Sequence, residues 1–303
     1  MGPALSWDLS YDVQLMFSYL FIVNAFRAGT IVAVIAATIG WFMVLRRQSF
    51  AGHTLAVVGF PGAAAATWLG VATGYGYFGF CVAGALVIAA LPQHTARAAS
   101  AEQSAVIGTV QAFALACGYL FVSLYKGFLS GMTNLLFGTI VGITDTQVLV
   151  LLASAVPCLA VLIAIGRPLL FASVDPDLAR ARGVPVRAVG GLFLVLLGVA
   201  AAGTSQVTGS LLVFALLVAP AATAHKLTTR PCVGIALSIA FALLATWIGE
   251  TIAFFSVHPI GFWVTTVSFA GYLAACLWRI VADRSGRSPR ATAPSAAPAG
   301  ARS

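Results

Sequence analysis

Eight acidic residues occur in 303, and one of them, Glu250 in TWIGETIAFF, falls inside a long apolar run. A carboxylate in hydrocarbon costs several kcal/mol unless it faces a partner, a bundle interior or water, so such a residue marks a proton or cation path. The plainer alternative is that Glu250 lies near the outer end of its run and reaches interfacial water. His53 and His258 offer imidazoles, which suit zinc, copper, iron or nickel better than magnesium or calcium. His94 and His225 stand at helix ends, where interfacial histidines belong. No HxxxH or HExxH spacing joins these residues, so pattern alone specifies no resident metal site. Arg27 in NAFRAGTIV is the base within the first run and is expected to snorkel or form a structural ion pair. There is no GxxxxGK[ST] phosphate loop, serine elbow or pair of intramembrane carboxylates. Enzymatic chemistry is therefore disfavoured, and any ATP must be handled by another chain.

The elements that position these residues are apolar helices. Hydrophobic residues make up 60% of the chain and charged residues 8%, with a mean hydropathy of +1.00. These values define an all-α polytopic membrane protein. Apolar runs predict nine spans near 21–45, 54–73, 77–93, 104–124, 147–166, 187–203, 208–227, 232–255 and 261–281. Arg46, Arg47, Arg97, Arg167, Arg180, Arg182, Arg187, Lys226, Arg230, Arg279, Arg284, Arg287 and Arg290 follow alternate spans, whereas the intervening loops hold only Lys126. The positive-inside rule then puts the amino terminus outside and the carboxyl terminus in the cytoplasm. This asymmetry accounts for the net charge of +8 without a nucleic-acid partner. The opening MGPALSWDLSYDVQ has no basic n-region, so no cleaved signal is expected. Residues 1–282 read as one transmembrane domain, and 283–303, rich in Pro, Ala, Ser and Arg, as a disordered cytoplasmic tail. The 125–146 loop is glycine-broken and too short to span, so it is expected at the outer face. Cys81, Cys117, Cys158, Cys232 and Cys276 show no CxxC spacing and read as helix-packing residues.

Between the fifth and sixth runs lies RPLLFASVDPDLARARGVPVR, from Arg167 to Arg187. Asp175 can cap free amides, Pro176 tolerates the first helical position, and Gly183 with Pro185 supplies a stop. A helix over Pro176–Arg182, including Asp177, Leu178, Ala179 and Arg180, is marginal alone and needs something to pack against. It reads as a docking element. Elsewhere, Pro61 with Gly62 and Pro220 in LLVFALLVAPAATA mark a kink or close helix packing.

Four stretches in order resemble the permease subunits of metal-type ABC importers, which include zinc and manganese uptake permeases. They are GWFMVLRRQSFAGHTLAVVGFPGAAAA, LFGTIVGI at 136–143, FASVDPDLARARGVPV at 171–186 and GSLLVFALLVAPAATA at 209–224, and the likeness covers roughly residues 15–280. The resemblance implies a type II importer fold in a bacterial inner membrane. It further implies a homodimer around a central path, two cytoplasmic ATPase subunits and an extracytoplasmic metal-binding protein or lipoprotein. In that family the segment matching Phe171–Val186 is the coupling element seated on the ATPase. No cofactor is expected on this chain; its cargo is a divalent metal ion, zinc first and manganese next, with ATP used by the partner. The family commonly carries Asp and, four residues on, His where this chain has His53 and Val57, so the family's ligand pair is half present. Cobalamin or siderophore permeases and an ion-coupled secondary carrier using Glu250 are the rival readings.

Overall fold

The computed structural model describes residues 14–16, 18–90, 99–125, 143–209, 213–256 and 258–285. Among these, every element is a helix: α1 Leu20–Leu45, α2 Ser49–Leu69, α3 Thr73–Ala90, α4 Ala99–Leu124, α5 Asp145–Val174, α6 Pro176–Ala181, α7 Val186–Thr208, α8 Val213–Leu227, α9 Pro231–Phe255 and α10 Ile260–Ser285. Seven of them, α1, α3, α4, α5, α7, α9 and α10, are long and apolar enough to cross a membrane. The remaining two predicted spans correspond to α2, which is mostly buried and carries Pro61 internally, and to α8, a shorter apolar helix.

The bundle is organised around α1 and α7. On one side α2 packs against α3 and α4, with α3 laid along α7; on the other, α8, α9 and α10 pack on one another and α8 and α9 lie against α1. α5 bridges α1 and α7. Alanine and glycine let the helix axes come close, which suits helices that gain packing rather than hydrophobic energy from association. Gly62 shows this most plainly: a Cβ there would run into the carbonyl of Gly76, and one at Gly76 would run into the carbonyl of Gly62. α2 and α3 thus touch backbone to backbone, which is the packing role expected of Gly62. Side chains such as Phe113, Tyr119 and Ile163 project outward from α4 and α5, as an apolar solvent requires.

Several boundaries differ from the sequence reading. α2 begins at Ser49 rather than 54, because Arg47, at φ 56°, completes a tight reversal after α1 and helical hydrogen bonding resumes before the apolar run does. His53 therefore lies one turn inside α2. α5 continues through Arg167 and Pro168 to Val174, about 45 Å of helix. Pro168 removes one hydrogen bond, but Leu169 and Ala172 beyond it are buried, and their packing carries the helix onward. α7 runs to Thr208, through the expected 204–207 loop. α6 stops at Ala181, with Arg182 as its C-cap.

Candidate functional site

α6 has the capping chemistry its sequence requires. The Asp175 carboxylate accepts from the amide of Leu178 at 2.9 Å, and Pro176 occupies the first helical position. Gly183 adopts φ 80°, and the amide of Val184 closes onto the carbonyl of Ala179 at 3.0 Å. Ala179 is fully buried where α6 rests on α5 and α7. Asp177 and Arg180 form an ion pair of 2.6 Å on the outer surface, and Leu178 is 46% exposed beside them. One small side chain anchors α6, and a charged rim with an apolar centre faces away.

Arg46 ties this element to the rest of the bundle. Its guanidinium donates to Gln48 Oε1 at 3.1 Å and to Ser173 Oγ, near the end of α5, at 3.2 Å. Its carbon centre lies 5.5 Å above the Phe193 ring of α7. Burial pulls the Arg46 pKa below the ordinary arginine value. One turn away, His225 of α8 stacks on Trp41 with ring centres 4.9 Å apart and donates from Nε2 to the Trp41 carbonyl at 3.0 Å. These contacts bring Arg46, the α5–α6 junction next to Arg180 and the end of α8 that carries Lys226 to the same end of the bundle. Arg46 and the Trp41–His225 stack were not singled out by sequence; LRRQ in the α1–α2 loop was the available signal for the first.

Glu250 lies deep inside. It is 2% exposed, which overturns the reading that it reaches interfacial water, and it faces Gly29 of α1: a Cβ on Gly29 would occupy the place of Glu250 Oε1 and crowd Thr246. Neither Glu250 oxygen nor Thr246 Oγ1 has a hydrogen-bond partner among the described residues. An uncompensated carboxylate there would cost several kcal/mol, so the position calls for a proton or a cation. Nearer the start of α1, Asn24 is buried; its amide donates to the Ile143 carbonyl at 3.3 Å while its Oδ1 has no partner among the described residues. Arg27 is exposed and without an ion pair among the described residues.

His53 presents a buried Nδ1 with no hydrogen-bond partner among the described residues, and its ring is edge-on to Phe214 of α8 at 5.0 Å. The next residue, Thr54, donates to Gln111 Oε1 of α4 at 3.0 Å. Val57, one turn on, is buried. His258 is exposed between α9 and α10, near the rings of Phe262 and Trp263. The structure does not bring His53, Glu250 and His258 together: among the described residues no three of His, Cys, Asp and Glu form a group able to hold a metal ion. Gly29, Thr246 and Gln111 had no signal in the sequence, since each matters only through a neighbour distant along the chain. Pro220 sits mid-helix in α8 beside a cavity of about 80 Å³ shared with α9 and α10. Cys81 and Cys158 are buried and free, as expected of packing residues, and Cys117 and Cys276 are half-buried, whereas Cys232 is exposed in the first turn of α9 and does not pack as expected. His94, residues 126–142 and the tail beyond Ser285 lie outside the described residues.

An all-helical bundle, among the described residues, with an apolar exterior, a charged helix at its basic end and lone polar side chains inside defines a multi-pass membrane protein. Over residues 18–279 the chain matches the ABC 3 transport family and belongs to it, as a permease of the metal-type ABC importers of bacterial inner membranes. It is 28% identical over 242 residues to the manganese transport system membrane protein MntC of Halalkalibacterium halodurans, a span of 80% of this chain and 82% of that one. It is 28% identical over 259 residues to the chelated iron transport system membrane protein YfeC of Yersinia pestis, covering 86% of each. Among solved structures it resembles PsaBC from Streptococcus pneumoniae in complex with Fab, with a TM-score of 0.78 and 25% identity over 88% of this chain and 95% of that one.

Proposed function

We propose that this chain is the permease of an ATP-driven importer for a free divalent transition metal, working as a pair of copies. Two cytoplasmic ATPase chains would seat on α6, and an extracytoplasmic metal-binding protein would deliver the ion. The observation that carries this reading is α6 itself: capped at both ends, anchored by Ala179, and presenting Asp177, Leu178 and Arg180 outward. A rigid-body swing of the ATPases would reach α5 through Val174 and α1 through the Ser173–Arg46 hydrogen bond. The positive-inside asymmetry supports placing this end in the cytoplasm.

For the cargo we favour manganese over zinc, supported by several relatives that are named for manganese transport. His53 on α2 and Glu250 on α9 are the side chains we assign to the path, with His258 at its outer mouth. Scattered single ligands suit a conduit, because a tight cluster would hold the ion rather than release it. The test is ATP-dependent uptake of manganese and zinc into vesicles holding the permease and its ATPase. Glu250→Gln and His53→Ala should each lower uptake without lowering the amount of folded protein; unchanged uptake in both removes them from the path, and uptake without ATP sinks the importer. The similarity to YfeC, whose name specifies chelated iron, supports a second reading, a chelate as cargo. Uptake of chelated but not free metal would select it.

A further inference from the structure

A cavity of about 360 Å³ opens between the α8–α9 turn and the last turns of α10, lined by Lys226, Thr228, Thr229, Arg230, Trp278 and Arg279. Three cations surround a space large enough for a phosphate-bearing headgroup. Two hydrogen bonds fix its walls: Arg279 Nη1 donates to the Lys226 carbonyl, and the amide of Arg230 donates to Thr228 Oγ1 at 3.2 Å. Arg230 is also the N-cap of α9, and its side chain makes no capping hydrogen bond. A guanidinium cannot accept, so the first turn of this 25-residue helix lies beside the cavity uncapped; its free amides begin at Cys232, because Pro231 has none, and its positive dipole end favours anions.

The apolar surroundings say which anion. Trp278 is 69% exposed, and Leu273, Leu277, Ile280 and Val281 on the same helix are exposed as well. That face of α10 would lie in the outer layer of the bundle, where lipid chains run, and it leads directly to the cavity at the bundle's basic end. Trp at such a level is an interfacial residue, and basic pockets between helix ends at the cytoplasmic surface take anionic headgroups. We infer that the Lys226–Arg230–Arg279 cavity is a binding site for an anionic phospholipid, its phosphate held by the three cations and the α9 amino end, its acyl chains lying along α10. The site is separate from the metal path and independent of the cargo.

The test is native mass spectrometry of the full chain in detergent, titrated with dioleoyl-phosphatidylglycerol, dioleoyl-phosphatidylcholine or inorganic phosphate. Phosphatidylglycerol should be retained at least about five-fold better than phosphatidylcholine. Arg230→Gln and Lys226→Gln should each lower that retention about five-fold, the weight of one basic residue at an anionic surface. Lys226 holds Arg279 through its backbone, so its substitution spares the wall. Arg187→Gln, the same charge change at an exposed position outside the cavity, should leave retention unchanged. Equal retention of the two lipids overturns the site, as does equal weakening by Arg187→Gln. Displacement of phosphatidylglycerol by millimolar inorganic phosphate would reassign the cavity to a free anion and overturn the lipid.

Discussion

Glu250 and Arg180 are both charged residues on helices, and their surroundings are opposite. Arg180 stands on the outside of α6, paired with Asp177 one turn back and open to water. Glu250 stands inside, against a glycine, with neither oxygen satisfied among the described residues. At the basic end of the bundle, charge is inexpensive because water and a neighbouring ion screen it, so many charges can gather there and form a surface for a partner. In the interior a single charge is costly, and only space left by the facing helix admits it. The same residue class thus supplies a docking rim in one region and a buried acid in the other.

That contrast predicts a graded series of outcomes. The largest effect should come from Glu250→Lys, which forces a longer side chain and a cation into the Gly29 contact. The yield of monodisperse, membrane-inserted protein should fall several-fold. Arg180→Glu, an equal reversal of charge outside, should leave that yield intact while copurification of the ATPase drops. Comparable yields for the two variants would erase the distinction between the regions. Gly29→Val should destabilise next, by about 1–3 kcal/mol, because the new side chain meets Glu250 and Thr246; thermal unfolding in detergent reads it, and pairing it with Glu250→Ala should return part of the loss. Asp175→Ala should loosen α6 by about 1 kcal/mol through the lost cap to Leu178. Faster proteolysis at 175–183 with an unaltered melting temperature for the bundle is the expected signature. Arg27→Gln should be smallest, within about 0.5 kcal/mol, since Arg27 is exposed and without an ion pair among the described residues.

The two regions also differ in how far sequence reveals them. α6 was legible because its determinants are local: Asp175, Pro176 and Gly183 fall within nine consecutive residues and act on their own backbone. Helix class and the basic end followed from composition and loop charge in the same way. Glu250 was legible as an oddity, but its depth was not, because burial is decided by Gly29 on a helix more than two hundred residues earlier. The start of α2 and the length of α5 were misjudged for a related reason. Hydropathy marks where a chain is apolar, whereas Ser49–His53 and Arg167–Val174 are helical because of hydrogen bonding and packing at the bundle's end. Neither Thr54–Gln111 nor Trp41–His225 has any trace in one sequence read alone.

The crossing of Gly62 with Gly76 has a further consequence. A helix contact made through side chains has many rotameric states of nearly equal energy, and it can yield gradually as one set gives way to another. Where backbone lies on backbone there are no such states, so the contact is either whole or absent. α2 and α3 must therefore move together at that crossing, where Pro61 is held by the close backbone contact beside it, and any rocking that opens and closes a path through this bundle has to be taken up at softer places, such as α8 at Pro220, which also lacks a rung of the helix ladder but lies beside open space.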